Sequence, residues 1–208
     1  MSIFSPHSRS SSYKSGFTLI ELLVVMAIMS IITGTILLRQ AGFNSATLLR
    51  SLGYSVALSV RQAQIYGVSV YGTTTSTLGA PVYAPGYGLS FSSGDNTHYV
   101  LFADLTTGNY SYTTAFSNQV KVFSLGKGFY IKSFCGVLAG GSRNCSTDSI
   151  PITYLTVLFK RPNPDAYFFA SDGASYVGAY IQISSTEGST RSVTISSSGQ
   201  IVVGAIGT

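Results

Sequence analysis

The sequence predicts an α+β fold, one long amino-terminal helix packed on an antiparallel β-sheet head, and three observations carry that expectation. Residues 17–38 are an unbroken apolar run of 22 with a single charge. Residues 39–66 continue it with apolar side chains at helical spacing. From Val68 onward the period changes to alternation and short apolar runs punctuated by Gly, Pro, Asn and Ser, which is strand chemistry. No second helical pattern is evident in the chain.

Composition narrows the function. Of 208 residues 45% are hydrophobic and 9% charged, with a mean hydropathy of +0.34, whereas roughly a quarter of the residues of a soluble domain are charged. The polar surface is therefore built from hydroxyls and amides, which suits a protein packed among copies of itself or working outside the cell. Fourteen Tyr and twelve Phe supply enough apolar area to exclude disorder, and the length allows one domain with an appendage. The formal charge is +5, but Arg9 and Lys14 lie in a short leader, leaving ten basic residues against seven acidic. That excess is weak as a signal for a nucleic-acid partner. Two histidines, His7 and His98, and two cysteines give no material for a zinc cluster or a Ser-His-Asp triad. The expectation is a protein that is not an enzyme and holds neither cofactor nor metal.

The leader, MSIFSPHSRSSSYKSG, is polar and basic, and FTLIELLVVMAIMSIITGTILL follows it. This run is long enough to cross a bilayer as a helix. It exceeds the apolar core of about 7–15 residues of a secretory signal and lacks a small-x-small cleavage site after it, so the segment is expected to be retained. Arg9 and Lys14 place the leader in the cytoplasm, an asymmetry that Arg39 dilutes. The rest of the chain is then outside. Glu21 is the informative residue, because a carboxylate in the hydrocarbon region costs roughly 2.5–3.5 kcal/mol on insertion scales. The segment offers no Lys, Arg or His to offset it. The counter-charge comes from lipid headgroups, another protein or a new amino terminus, unless Glu21 is simply tolerated near the interface of a signal anchor.

The boundary KSG before FTLIELLVVMAI closely resembles the class III signal of type IV prepilins and pseudopilins. The resemblance implies that a prepilin peptidase/methyltransferase of the inner membrane cuts between Gly16 and Phe17 and N-methylates Phe17. It also implies that Glu21, the family's fifth-position glutamate, pairs with the Phe17 amine of a neighbouring subunit, two opposite charges satisfying each other. The implied partners are that peptidase, other pilin or pseudopilin subunits, the inner membrane and an assembly platform. The implied function is a structural subunit of a type IV pilus or a type II secretion pseudopilus, single-pass in the inner membrane with its carboxyl-terminal head outside the cytoplasm.

Beyond Leu38, Leu49, Leu52, Val56, Val60 and Ala63 fall on one helical face, and Arg50, Ser51, Arg61 and Gln62 fall elsewhere. A helix from Phe17 to about Tyr66 would be about 75 Å long at 1.5 Å per residue. Gly34, Gly42 and Gly53 weaken it by up to about 1 kcal/mol each relative to Ala; close packing is the expected reason at Gly34. Expected strands are VSVYG (68–72), YGLSF (87–91), HYVLFA (98–103), VKVFSL (120–125), GFYIK (128–132), ITYLTVLFK (152–160), AYFFA from Ala166, YVGAYIQIS (176–184), RSVTIS (191–196) and QIVVG (200–204). The SSG at residues 197–199 reads as a hairpin turn with Gly199 at positive φ. The helix end RQAQIYG feeding into a strand, the strand-rich head and the closing RSVTISSSGQIVVG resemble the GspH/FimT group of minor pseudopilins and pilin-like proteins. The expected organisation is a cleaved leader over 1–16, a transmembrane or filament-core helix over 17–38, an amphipathic half over 39–66 and a β-rich head over 67–208.

Few head residues suggest chemistry. Cys135 and Cys145 flank a Gly-rich loop, and an extracytoplasmic location favours a disulfide over two reduced thiols. Asp95, Asp104, Asp148, Asp165 and Asp172 sit in turn-like contexts, where capping explains them as well as calcium does; none matches an EF-hand loop. Lys121, Lys127, Lys132 and Arg143, with Lys160, Arg161 and Arg191 as a second group, are the candidates for phosphate contacts. The first three fall on expected neighbouring strands, and some FimT-type relatives bind DNA, so a DNA-binding minor pilin is one alternative. A pilus-tip adhesin is another, with Tyr83, Tyr87, Tyr110 and Tyr112 in Gly/Thr-rich loops; core packing is the more ordinary use of such residues.

Overall fold

The computed structural model describes residues 16–69, 71–74, 81–105, 112, 117–126 and 128–207. One α-helix, α1 (Leu19–Val68), precedes twelve strands: β1 (Gly72–Thr74), β2 (Pro81–Tyr83), β3 (Gly86–Ser92), β4 (Asp95–Asp104), β5 (Ser117–Ser124), β6 (Tyr130–Val137), β7 (Arg143–Cys145), β8 (Tyr154–Lys160), β9 (Ala166–Ala170), β10 (Gly178–Ser184), β11 (Thr190–Ser196) and β12 (Ile201–Gly207). The chain divides into two compact units, Met1–Ala41 and Gly42–Thr208. All strand pairs are antiparallel. They form a small β1–β2 pair and two five-stranded sheets, ordered β12-β11-β10-β6-β7 and β5-β4-β3-β8-β9. The layout is the α+β arrangement that the sequence predicts.

Side-chain alternation builds the core of the second unit. On β10, Ala179, Ile181 and Ile183 point inward while Tyr180 and Gln182 are half-exposed, and Val193 and Ile195 do the same on β11. Leu89, Phe91, Leu101, Leu155, Val157 and Phe159 of the other sheet join them in one cluster. The helix completes this cluster with Leu49, Val56, Val60 and Ala63, all buried, with Leu52 packed alongside. Fully burying such side chains contributes about 1.5–3 kcal/mol each. Arg50, Ser51 and Arg61 face solvent as their spacing predicts, and Gln62 is half-buried. Two buried polar residues on the same face find partners: the Ser59 hydroxyl lies 3.1 Å from Tyr99 Oη. Gln64 Nε2 donates to the carbonyls of Pro164 at 2.9 Å and Gly199 at 3.3 Å.

Several expectations need correction. The expected strand VSVYG does not start at Val68: the helix persists to Val68, the Ser69 N–H bonds back to Ile65 O at 2.9 Å, Val70 lies outside the described residues, and β1 starts at Gly72. Tertiary contact holds that last turn, because Gly67 seats so closely on β8 that a Cβ there would stand 2.4 Å from Phe159 O. The helix also starts two residues later than expected, at Leu19. β2 and β7 lie outside the expected strands, and β1 shares only Gly72 with them. β2 opens on proline, and β7 is three residues long and joins β6 where Cys145 lies opposite Cys135. The closing hairpin follows its turn chemistry: Gly199 has φ 77° and its N–H reaches Ser196 O at 2.9 Å, while the Ser196 N–H reaches Gln200 O at 3.0 Å. This is a three-residue turn with a bulged glycine.

Candidate assembly site

In the first unit, Gly16, Phe17 and Thr18 precede the helix and Leu19 opens it. Thr18 is the N-cap. Its Oγ1 accepts the Glu21 N–H at 3.3 Å and its carbonyl accepts the Leu22 N–H at 3.2 Å. Glu21 is thus the third helical residue, the spacing of a capping box, with its negative charge in the first turn where the helix dipole favours it. Thr18 is absent from the candidates named above, although the Thr-x-x-Glu spacing in TLIE is the signal that finds it.

Residues Leu19–Leu37 are apolar enough to cross a membrane, with a mean hydropathy of 2.3, and none of that window is buried in the single chain. The hydroxyls inside the run are satisfied by their own helix. Ser30 donates to Met26 O at 2.8 Å, Thr33 to Met29 O at 2.7 Å and Thr35 to Ile32 O at 2.8 Å. Back-bonding of this kind lets hydroxyls sit among apolar neighbours at little cost. Glu21 is then the one ionisable group between Phe17 and Leu37. Among the described residues none comes within 4 Å of a Cβ placed on Gly34, so that glycine presents a bare backbone surface.

On the head, Cys135 and Cys145 form a disulfide between β6 and β7. Three of the acidic residues serve turns, whereas Asp104 is buried at the end of β4. Asp95 accepts the Thr97 N–H at 3.0 Å, the Thr97 hydroxyl at 2.8 Å and the His98 N–H at 3.1 Å, with His98 Nδ1 at 2.9 Å. Chiefly through the two Thr97 bonds, its carboxyl is pulled down to about 2. Asp148 accepts the Cys145 N–H at 2.6 Å. Asp172 accepts from Tyr176 Oη, from Asn144 Nδ2 at 3.0 Å and from the Ala174 N–H at 3.2 Å. Partial burial acts upward on Asp172, but these hydrogen bonds outweigh it and its pKa is lowered. Among the described residues no three of His, Cys, Asp and Glu gather as a metal site would require.

The cations do not assemble as the sequence suggests. Lys121 lies on β5, at the edge of one sheet, and Lys132 on β6, inside the other. They are not on neighbouring strands; Lys127 lies outside the described residues. Several of the cations instead cover aromatic rings: Lys121 over Phe123 at 4.7 Å, Arg143 over Tyr180 at 4.1 Å, Lys160 over Tyr167 at 4.3 Å and Arg191 over Tyr54 at 5.2 Å. Each such contact is worth about 0.5–1 kcal/mol at an exposed site. Arg161 donates to Ala84 O at 3.1 Å. Of the tyrosines, Tyr87 is core, its hydroxyl bonded to Tyr71 O at 2.6 Å and its pKa pushed up to about 12 by burial. Tyr83 is exposed, Tyr112 bonds Gln119 Oε1 at 3.2 Å, and Tyr110 lies outside the described residues.

No curated protein and no solved structure matches the chain. Residues 11–37 match the family model described as the prokaryotic N-terminal methylation motif, which spans the leader end, Gly16, Phe17, the Thr18 cap, Glu21 and the uncovered helix. That motif, joined to an apolar helix and antiparallel sheets, supports a type IV pilin-like protein.

Proposed function

We propose that the protein is a structural, non-enzymatic subunit of a type IV pilus or a type II secretion pseudopilus, a minor one of the GspH/FimT kind. The observation that carries this reading is the methylation motif joined to a wholly exposed apolar helix with one carboxylate in its first turn. Residues 1–16 are the leader, 17–38 the membrane and filament-core helix, 39–66 the amphipathic half and 67–208 the head. Prepilin peptidase cleaves between Gly16 and Phe17 and methylates Phe17. The subunit rests in the inner membrane with its head outside the cytoplasm, then joins other pilin-like subunits at the assembly platform. Burial of Phe17–Leu38 against other helices drives assembly through dispersion and close packing, and Glu21 sets register by pairing with the Phe17 amine of a neighbour. The disulfide supports the extracytoplasmic location of the head.

The test is mass spectrometry of the amino-terminal peptide from sheared surface filaments and from membranes in parallel. N-methylated Phe17 in filaments, at a few copies relative to the main subunit, is expected for a minor pilin. Processed protein confined to membranes assigns the pseudopilus instead. An intact leader in both fractions, with the peptidase present, overturns the reading.

A further inference from the structure

Among the described strands, β12 is an edge that carries neither charge nor proline: its seven residues read IVVGAIG. The opposite edge of the same sheet, β7, is three residues long and holds Arg143. In the other sheet β5 carries Lys121, and the first N–H of β9, that of Ala166, is already bonded to Ser197 O at 2.9 Å. Uncharged edges are templates for another strand, and proteins ordinarily blunt them. The hairpin geometry identifies the free groups. With the Ser196 N–H on Gln200 O, antiparallel alternation points Val202 at Thr194 and turns the N–H and C=O of Ile201 and Val203 outward. Past Val203 a bulge sets Gly204 and Ala205 against Ser192, so the regular free run is Ile201–Val203.

A groove of about 510 Å³ lies along this run, walled by Ile201 and Val203 on one side and by Tyr54 and Leu58 of the helix on the other. A second hollow of about 340 Å³, lined by Ile65, Val68 and Pro164, shares Arg61 with it. Tyr54, Leu58, Arg61, Ile65 and Val68 recur at three- and four-residue steps, so they form one helical stripe. It is separate from the buried stripe, and Leu58 in it is 68% exposed. Arg61 is the one charged side chain lining either hollow.

We infer that this surface binds an extended polypeptide segment of another protein, apolar at alternate residues and carrying a carboxylate. The segment adds to Ile201–Val203 as a further strand, seats its alternate side chains beside Leu58 and Tyr54, and pairs its carboxylate with Arg61. Free backbone groups specify an extended occupant, because a helix has none along its side to offer them. The cation specifies the acid. A second copy of β12 would supply a strand but no carboxylate, leaving the Arg61 guanidinium with only the neutral Gln64 Oε1 to which it already donates.

The test uses the full chain in detergent micelles with a capped, fluorescently labelled peptide, Thr-Val-Thr-Glu-Thr-Val-Thr, whose Val and Glu side chains share one face of the strand, and its glutamine analogue. Expected are saturable binding and slowed amide hydrogen exchange at Ile201 and Val203. The glutamine analogue should bind about tenfold more weakly, a difference that disappears in Arg61→Gln. Val203→Pro deletes an N–H that β11 does not use, a substitution edge strands tolerate, and should abolish binding while the thermal transition persists. Should that variant fail to fold, Leu58→Ser, at an exposed site, should still weaken binding about tenfold. Absence of binding, or binding indifferent to these changes, overturns the inference. So does protection of Ile201 and Val203 by self-association without peptide, which assigns the edge to a second copy. None of these readouts depends on leader processing, so this inference and the proposed function fail separately.

Discussion

Arg191 lies directly against Gly53. A Cβ on that glycine would stand 2.7 Å from Arg191 Cδ and 2.9 Å from Nε, so the absent side chain is what lets a buried arginine stem cross the helix face. Gly67 makes a harder contact with the Phe159 carbonyl, which is main chain and cannot swing aside.

Gly67→Ala is therefore expected to destabilise the head by about 3 kcal/mol, an overpacking penalty at its upper range. Gly53→Ala regains up to about 1 kcal/mol of helix propensity while displacing Arg191, for a net loss of about 1 kcal/mol. Thermal unfolding checks the order, at roughly 2–4 °C per kcal/mol for a head of this size. A Gly53→Ala loss as large as that of Gly67→Ala would show that Arg191 is as fixed as backbone.

Glu21→Ala should leave membrane insertion intact, since the remaining run carries no charge, and should reduce incorporation into filaments or pseudopili. Thr18→Ala removes only the cap, costing the helix end about 1 kcal/mol, and Thr18→Ser should restore it. Membrane fractionation beside quantified shear fractions separates the two roles. Normal incorporation of Glu21→Ala would remove the register role, leaving Glu21 as the partner of the Thr18 cap.

Removing the disulfide by a Cys135→Ala/Cys145→Ala pair should cost on the order of 2–3 kcal/mol, the chain-entropy value for a loop of about 11 residues. The loss should be local first. β7 is three residues long and is placed by Cys145 opposite Cys135, so hydrogen exchange at Asn144 should rise before the core amides move.

Acid should loosen the β3–β4 hairpin. The carboxyl of Asp95 is depressed from 3.8 to about 2, so the folded form holds fewer protons than the unfolded form in between. Its contribution is complete above about pH 4 and disappears as pH falls through about 2. Because Asp95 is largely exposed, the effect is expected to be about 0.5–1 kcal/mol. Asp95→Asn should flatten the pH dependence of thermal unfolding in that window, and an unchanged slope would show that the Thr97 bonds are not made in solution.

The helix and its buried stripe were legible because a 3.6-residue period is a property of one segment read alone. Most strands were legible for the same reason. Strand partnership was not: alternation marks Lys121 and Lys132 as strand residues but carries no information on which sheet takes each strand. β6 pairs with β10, more than forty residues onward, while β5 pairs with β4, and the expected basic patch separates accordingly. β7 escaped because a covalent link rather than strand propensity sets it. The Gly199 turn was legible from three residues, and the groove beside β12 was not, since it arises only when helix and hairpin meet.

The hydroxyls of Ser30, Thr33 and Thr35 have a consequence for passage between solvents. Each keeps its hydrogen bond within its own helix, so moving this segment from lipid to a protein-lined interior breaks none of them. The two media are then nearly equivalent to every uncharged group of the run. Under the proposed function the energetic asymmetry of transfer concentrates on two charges, the Glu21 carboxylate and the Phe17 amine, so their mutual neutralisation is what gives the movement a direction.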